Sequence, residues 1–151
     1  MSLLEVGAKA PELSGVDQEG KPVRLKDYQG RKVVLYFYPK DDTPGCTAEA
    51  CSLRDAHDEL RESGYEVIGV SPDPEGKHRK FVDKYDLPFR LLADPDKQVI
   101  KAYGAWGPKR FMGREFEGVL RTTYLIDEGG RIARVIDKVK TKEHARQVLE
   151  G

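Results

Sequence analysis

Two cysteines stand in the segment from Tyr38 to Cys51, and the first has the surroundings of a reactive thiol. Thr43, Pro44 and Gly45 lead into Cys46 directly after a run of β-branched and aromatic residues. With Thr43 as N-cap and Pro44 at the first helical position, where its missing N–H costs nothing, Cys46 falls at N3. There the carboxylate of a capping box folds back toward unsatisfied backbone N–H groups. A thiolate at N3 would meet the same donors and the positive end of the helix dipole. Such settings bring thiols from a pKa of about 8.5 into a range of roughly 3.5 to 7.5. The expected chemistry is nucleophilic attack by sulfur. Cysteine is also a common small core filler, and that reading weighs more for Cys51, inside the helix.

Other uses of cysteine fit this chain poorly. The histidine nearest to Cys46 in sequence, His57, is eleven positions along the same helix, which puts it about 16 Å away. His78 lies in a charged segment and His144 in the closing helix, neither with a partner that spacing identifies. The chain has no Asn, so a Cys-His-Asn triad is excluded. Two Cys and scattered His are too few for a zinc site. Four residues separate the cysteines, so the spacing is not the Cys-x-x-Cys of disulfide oxidoreductases. A static disulfide over so short a loop would contribute only about 2 kcal/mol.

The elements that must hold Cys46 follow from patterning. Lys32 to Tyr38 reads as a strand buried on both faces, as at the centre of a parallel sheet. Thr43 to Ser63 reads as one helix, closed by Gly64, with Cys46, Ala50, Leu53, His57 and Leu60 on one stripe. Upstream, Val16 to Leu25 reads as a hairpin turning near Glu19 and Gly20. Downstream come a strand over Tyr65 to Val70, a helix over Glu75 to Tyr85 and a strand over Arg90 to Ala93. A helix opening at Asp94 and Pro95 and closed by Gly104 follows, then a loop from Gly104 to Gly118 rich in Gly and aromatics. Strands over Arg121 to Asp127 and Arg131 to Asp137 pair across Glu128 to Gly130, and a helix over Thr141 to Glu150 closes the chain. This order implies an α/β protein with a mixed central sheet flanked by helices, compatible with a thioredoxin-like fold with an N-terminal hairpin extension. Cys46 then sits at the carboxyl edge of the central strand, where open α/β sheets place ligand sites.

Composition narrows the class. The 151 residues carry 26 Lys+Arg against 26 Asp+Glu, a net charge of +0, which provides no chain-wide attraction to nucleic acid or an anionic membrane. The longest apolar run, Val33 to Tyr38, is far short of the roughly 20 residues of a membrane span. The first residues have neither a basic flank nor an apolar stretch, so no secretory signal is expected. A single domain over residues 1–151, in the cytoplasm, is the expectation.

Pro39-x-x-x-Thr43-x-x-Cys46 resembles the active-site motif of the peroxiredoxins. The longer string from Tyr38 to Cys51 is similar to that of the peroxiredoxin Q, or bacterioferritin comigratory protein, subgroup. The likeness extends to Gly7, Ala10 and Pro11, to Tyr103 through Trp106 and to Arg121 through Asp127. The resemblance implies that Cys46 is the peroxidatic cysteine, that Thr43 holds the peroxide and that Pro39 shields the site from water. It further implies that Arg121 stabilises the thiolate and the departing oxygen, that Glu49 orients an arginine, and that Cys51 is the resolving cysteine. By itself, Arg121 could be a solvated charge, Glu49 a first-turn acid, and Pro39 and Thr43 turn and cap residues. Asp41 and Asp42 read as solvated turn residues, and Trp106, Phe111 and Phe116 as packing. The family uses no metal and no organic cofactor. The implied substrates are hydrogen peroxide and alkyl hydroperoxides, with thioredoxin or a similar dithiol as reductant and a monomer favoured over a dimer. A thiol–disulfide oxidoreductase and a redox-sensing holdase without turnover are the rival readings.

Overall fold

The computed structural model describes residues 3–150. At its centre is β1 (Lys32–Phe37), whose side chains are buried on both faces as their unbroken apolar character requires. Strand β2 (Tyr65–Ser71) runs parallel beside it, pairing Val34 with Val67, and β3 (Arg90–Ala93) continues the parallel set. On the other side β6 (Thr122–Ile126) is antiparallel to β1, and β7 (Ile132–Ile136) is antiparallel to β6. The five-stranded order is β3-β2-β1-β6-β7, a mixed sheet of the thioredoxin-like kind.

Alternate residues of β1 feed two cores. Val33, Leu35 and Phe37 pack with Ile68, Tyr103 and Tyr124 on one face. Val34 and Tyr36, with Tyr38 just past the strand, pack on the other with Cys46, Ala50 and Leu53 of α1 (Pro44–Asp55). Helices α3 (Glu75–Tyr85) and α5 (His144–Leu149) cover this second face beside α1.

Several segments differ from the sequence-based expectation. The helix expected over Thr43 to Ser63 is broken at Ala56, where ψ reaches 14°, and resumes as α2 (His57–Glu62). His57 is half-buried beyond that break. The helix expected from Asp94 starts only at α4 (Gln98–Ala102). Lys97 is left-handed at φ +61°, and the Asp94 carboxylate instead accepts the Ile100 N–H at 2.8 Å. The stretch expected as a loop is a hairpin of β4 (Trp106–Phe111) and β5 (Arg114–Val119). It turns on Met112 and Gly113, both at positive φ as a two-residue hairpin turn requires. The expected N-terminal hairpin reduces to one bridge, Val16 with Pro22, around a turn in which Asp17 accepts the N–H groups of Glu19 and Lys21. Val16 also bridges Ala93, so the segment docks on the edge of β3. The closing helix begins with a 3-10 turn over Thr141–Glu143. No helix among the described residues is long and apolar enough to cross a membrane.

Candidate active site

Pro44 is the first residue of α1 and Thr43 its extended N-cap, so Cys46 does stand at N3. The Thr43 hydroxyl does not cap the helix. It donates backward to the Lys40 carbonyl at 2.8 Å, leaving its oxygen lone pairs free to accept another hydrogen bond. Cys46 is only 1% exposed, against the second core, while Cys51, little more than one turn further along α1, is half-buried. Both are free thiols. Pro39, just past β1, is half-buried.

Arg121 enters from the start of β6, the strand beside β1, and binds two acids at once. Its Nη2 lies 3.2 Å from the Cys46 sulfur and its Nη1 donates to Glu49 Oε1 at 2.7 Å. Glu49 is one turn beyond Cys46 and wholly buried. Burial pushes its carboxyl up to about 7, although Arg121 pulls the other way. Burial also works against the Arg121 charge, but Cys46 and Glu49 together more than offset it and hold the guanidinium protonated. Gly45 makes room for this arrangement, since a Cβ there would stand 3.2 Å from Arg121 Nη2. Lys109 reaches the same region from β4, donating to the Val119 carbonyl at 2.8 Å. It is held below the ordinary lysine range by burial and by the Arg121 charge.

The structure thus brings Cys46, Arg121 and Glu49 into contact, with Thr43 at the cap of the same helix. Cys51 is left outside the cluster. Among the described residues no group of three His, Cys, Asp or Glu converges as metal ligands.

The expectation for Asp41 is corrected, and His78 and His144, for which spacing identifies no partner, have buried ones. Asp41 is buried rather than solvated, accepting from the Tyr38 hydroxyl at 2.6 Å and lying 2.6 Å from His78 Nδ1. His78 is fully buried and has two partners, the second being the Leu92 carbonyl at 3.1 Å. His144 is fully buried behind Glu49. Asp42 is exposed as expected but tied to Lys84 and the Tyr85 hydroxyl of α3, both at 2.8 Å. Apart from Tyr38 and Asp41, three positions apart, these partners are distant in sequence, and no local spacing signals them.

The model of the AhpC/TSA family matches residues 6–135. The chain belongs to that family. Peroxiredoxin Bcp of Escherichia coli strain K12 is 47% identical over 149 residues, covering 99% of this chain and 96% of that protein. A cysteine-to-serine variant of peroxiredoxin Q from Xylella fastidiosa superposes with a TM-score of 0.90 at 29% identity, over 99% of this chain and 96% of its own. The bacterioferritin comigratory protein of Xanthomonas campestris, with alkyl peroxide reduction activity, gives a TM-score of 0.86 at 31% identity. It covers 99% of this chain and 96% of its own. As a peroxiredoxin the chain is a thiol-dependent peroxidase, an oxidoreductase that acts on hydroperoxides with a thiol reductant.

Proposed function

We propose that this peroxiredoxin reduces hydrogen peroxide and alkyl hydroperoxides through Cys46, resolves the product with Cys51 and is recycled by thioredoxin or a similar dithiol. The observation that carries the reading is the Arg121 fork, with one nitrogen on the Cys46 sulfur and the other on Glu49. Displacing an alkoxide from an O–O bond needs a thiolate, a positioned peroxide and donors aimed at the charge that develops. Arg121 and the N–H groups of the first turn of α1 are such donors. The Thr43 hydroxyl, already donating to Lys40, offers its lone pairs to the O–H of the peroxide. Pro39, half-buried just past β1, limits water, and Glu49 holds the guanidinium in register. The relative from Xanthomonas campestris, active on alkyl peroxides, supports that substrate class.

The thiolate of Cys46 attacks the terminal peroxide oxygen, the O–O bond breaks, and the leaving oxygen takes a proton to become water or an alcohol. Sulfur is left as sulfenic acid, which the Cys51 thiol attacks to form a disulfide and release water. An external dithiol then reduces the disulfide, becoming a disulfide itself. The chain works as a single domain and a cytoplasmic monomer.

Peroxide-dependent NADPH oxidation coupled through thioredoxin reductase and thioredoxin tests the reading. Steady turnover by the native chain and none by Cys46→Ser is expected. Consumption of protein disulfides without peroxide would favour a thiol–disulfide oxidoreductase, and no turnover at all a redox-sensing holdase.

A further inference from the structure

Behind Arg121 lies a pair of buried titratable groups, Glu49 and His144, of which His144 has no part in the steps above. Glu49 uses Oε1 for Arg121, while Oε2 is buried with no hydrogen-bond partner. The polar group facing Oε2 is His144 Nε2, 3.5 Å away on α5. The other side of the imidazole fixes its tautomer. His144 Nδ1 lies 2.9 Å from Gln147 Oε1, which also accepts the Lys140 N–H at 2.9 Å, while Gln147 Nε2 donates to the Lys138 carbonyl. The Gln147 oxygen is thereby oriented as an acceptor, so Nδ1 must carry a hydrogen. A neutral His144 therefore has a bare Nε2, which takes the Thr123 hydroxyl at 2.7 Å and stands 3.5 Å from Glu49 Oε2; once Nε2 is protonated, the same hydroxyl can accept from it.

We infer that Glu49 and His144 hold one proton between them, that this keeps the Arg121 charge available to Cys46, and that His144 is a positioning residue of the site.

The reason is charge balance. One guanidinium contacts both acids, and if both ionise two buried anions share it, which low-dielectric surroundings penalise, while the other cations nearby, Lys109 and Arg134, donate to backbone carbonyls instead. A proton on Oε2, or on Nε2 beside a charged carboxylate, leaves the Glu49–His144 pair neutral either way, and the thiolate keeps its counter-charge. The remaining groups around the pair fit. Tyr36 on β1 is a neutral phenol pushed well above its ordinary range by burial. From the β7 side Arg134, bound to the carbonyls of Gln147 and Val148, adds positive charge. Burial, with the Arg121 and Arg134 charges, disfavours a protonated His144, and Gln147 opposes them in part. The resting place of the proton is accordingly Glu49, with His144 as the adjacent base.

The inference rests on Cys46 being the reacting thiol, so its test reads the thiol without peroxide. In a Cys51→Ser background, iodoacetamide alkylation of Cys46 is followed from acid to alkaline pH. His144→Gln can bond Thr123 but cannot take up the proton, and its amide favours an ionised Glu49. Alkylation at neutral pH should slow on the order of tenfold, and adding Glu49→Gln, which removes the second anion, should restore most of it. A His144→Gln rate within about twofold of the parent, or a loss that Glu49→Gln does not repair, would overturn the inference. Nitrogen chemical shifts of His144 in the unsubstituted chain provide a check free of folding effects. Nδ1 should stay protonated while Nε2 and the Glu49 carboxyl respond at one shared pH, and independent titrations would contradict the pairing. Loss of peroxidase turnover with these thiol results intact would instead count against the proposed function.

Discussion

His78 Nδ1 lies 2.6 Å from Asp41 Oδ2, a buried pair that ties α3 to the segment between β1 and α1. The Leu92 carbonyl can only accept, so His78 Nε2 carries a hydrogen, and a second proton lies between His78 and Asp41. Asp41 also takes the Tyr38 hydroxyl, and its own N–H donates to Asp73 at 2.7 Å. Pro39 and Thr43 flank this knot, which fixes the segment that would hold a peroxide.

His78→Ala should therefore leave a buried carboxylate without its partner and destabilise the fold by about 3 kcal/mol, within the range for broken buried pairs. Peroxide reduction should slow by about tenfold or more, a loss of about 1.4 kcal/mol or more. Alkylation of Cys46 should hardly change, because Arg121 and the first turn of α1 are untouched. Urea unfolding, stopped-flow peroxide consumption and alkylation together check this, and equal losses in both reactions would place the defect at the thiol instead.

Arg121→Met should lower the thiolate share of Cys46 and slow peroxide attack by at least about tenfold, worth about 1.4 kcal/mol. Arg121→Lys should retain part of the activity, since it restores the charge but not the two-pronged contact with Cys46 and Glu49. Second-order rates with hydrogen peroxide decide the matter. An Arg121→Met rate equal to that of the native chain would make this an ordinary arginine.

The raised carboxyl of Glu49 sets a pH dependence of stability with a definite sign. Its folded value of about 7 lies above the ordinary 4.5, so between the two the folded chain binds more protons than the unfolded one. Stability from this group is full below about 4.5 and is lost as pH rises through about 7, with about 3 kcal/mol as the upper limit of the loss. Denaturant midpoints measured on either side of neutrality should fall with rising pH in the native chain and fall less in Glu49→Gln. Parallel slopes would show that Glu49 is ionised throughout.

A Cys46–Cys51 disulfide requires α1 to open. In an intact helix, Cα atoms five residues apart are about 8.6 Å from each other, beyond the roughly 7 Å a disulfide tolerates. Opening would also break Ser52 Oγ from the Ala145 N–H and Arg54 from the Tyr85 carbonyl, the ties of α1 to α5 and α3. After oxidation, amide hydrogen exchange should be clearly faster from Cys46 to about Arg54, with Val33 to Phe37 still protected. Equal protection in both redox states, with the disulfide confirmed by mass, would refute this opening.

Much of the frame that holds Cys46 is legible in the sequence. Pro44 and Thr43 located the helix start, and the strand at Lys32–Phe37 declared itself by its unbroken apolar run. What escaped had no local signal. The break at Ala56 has neither Gly nor Pro to mark it, and the β4–β5 hairpin turns on Met112-Gly113 rather than on Asn-Gly or Asp-Gly. Asp41 reads as solvated, and spacing identifies no partner for His78 or His144, because Asp41 and His78 meet across 37 positions and His144 meets Glu49 across 95. Sequence distance hides a buried polar pair even when both members are plain to see.

The most direct test of Cys46 as the site of oxidation is mass analysis of Cys51→Ser after one equivalent of hydrogen peroxide. Cys46 should be the residue that gains a single oxygen atom, trapped by a sulfenic-acid reagent, with one equivalent consumed. The native chain, treated alike, should instead lose two hydrogens as Cys46 and Cys51 join within one molecule. Oxidation of Cys51→Ser at Met112 or elsewhere with Cys46 unchanged would contradict the assignment.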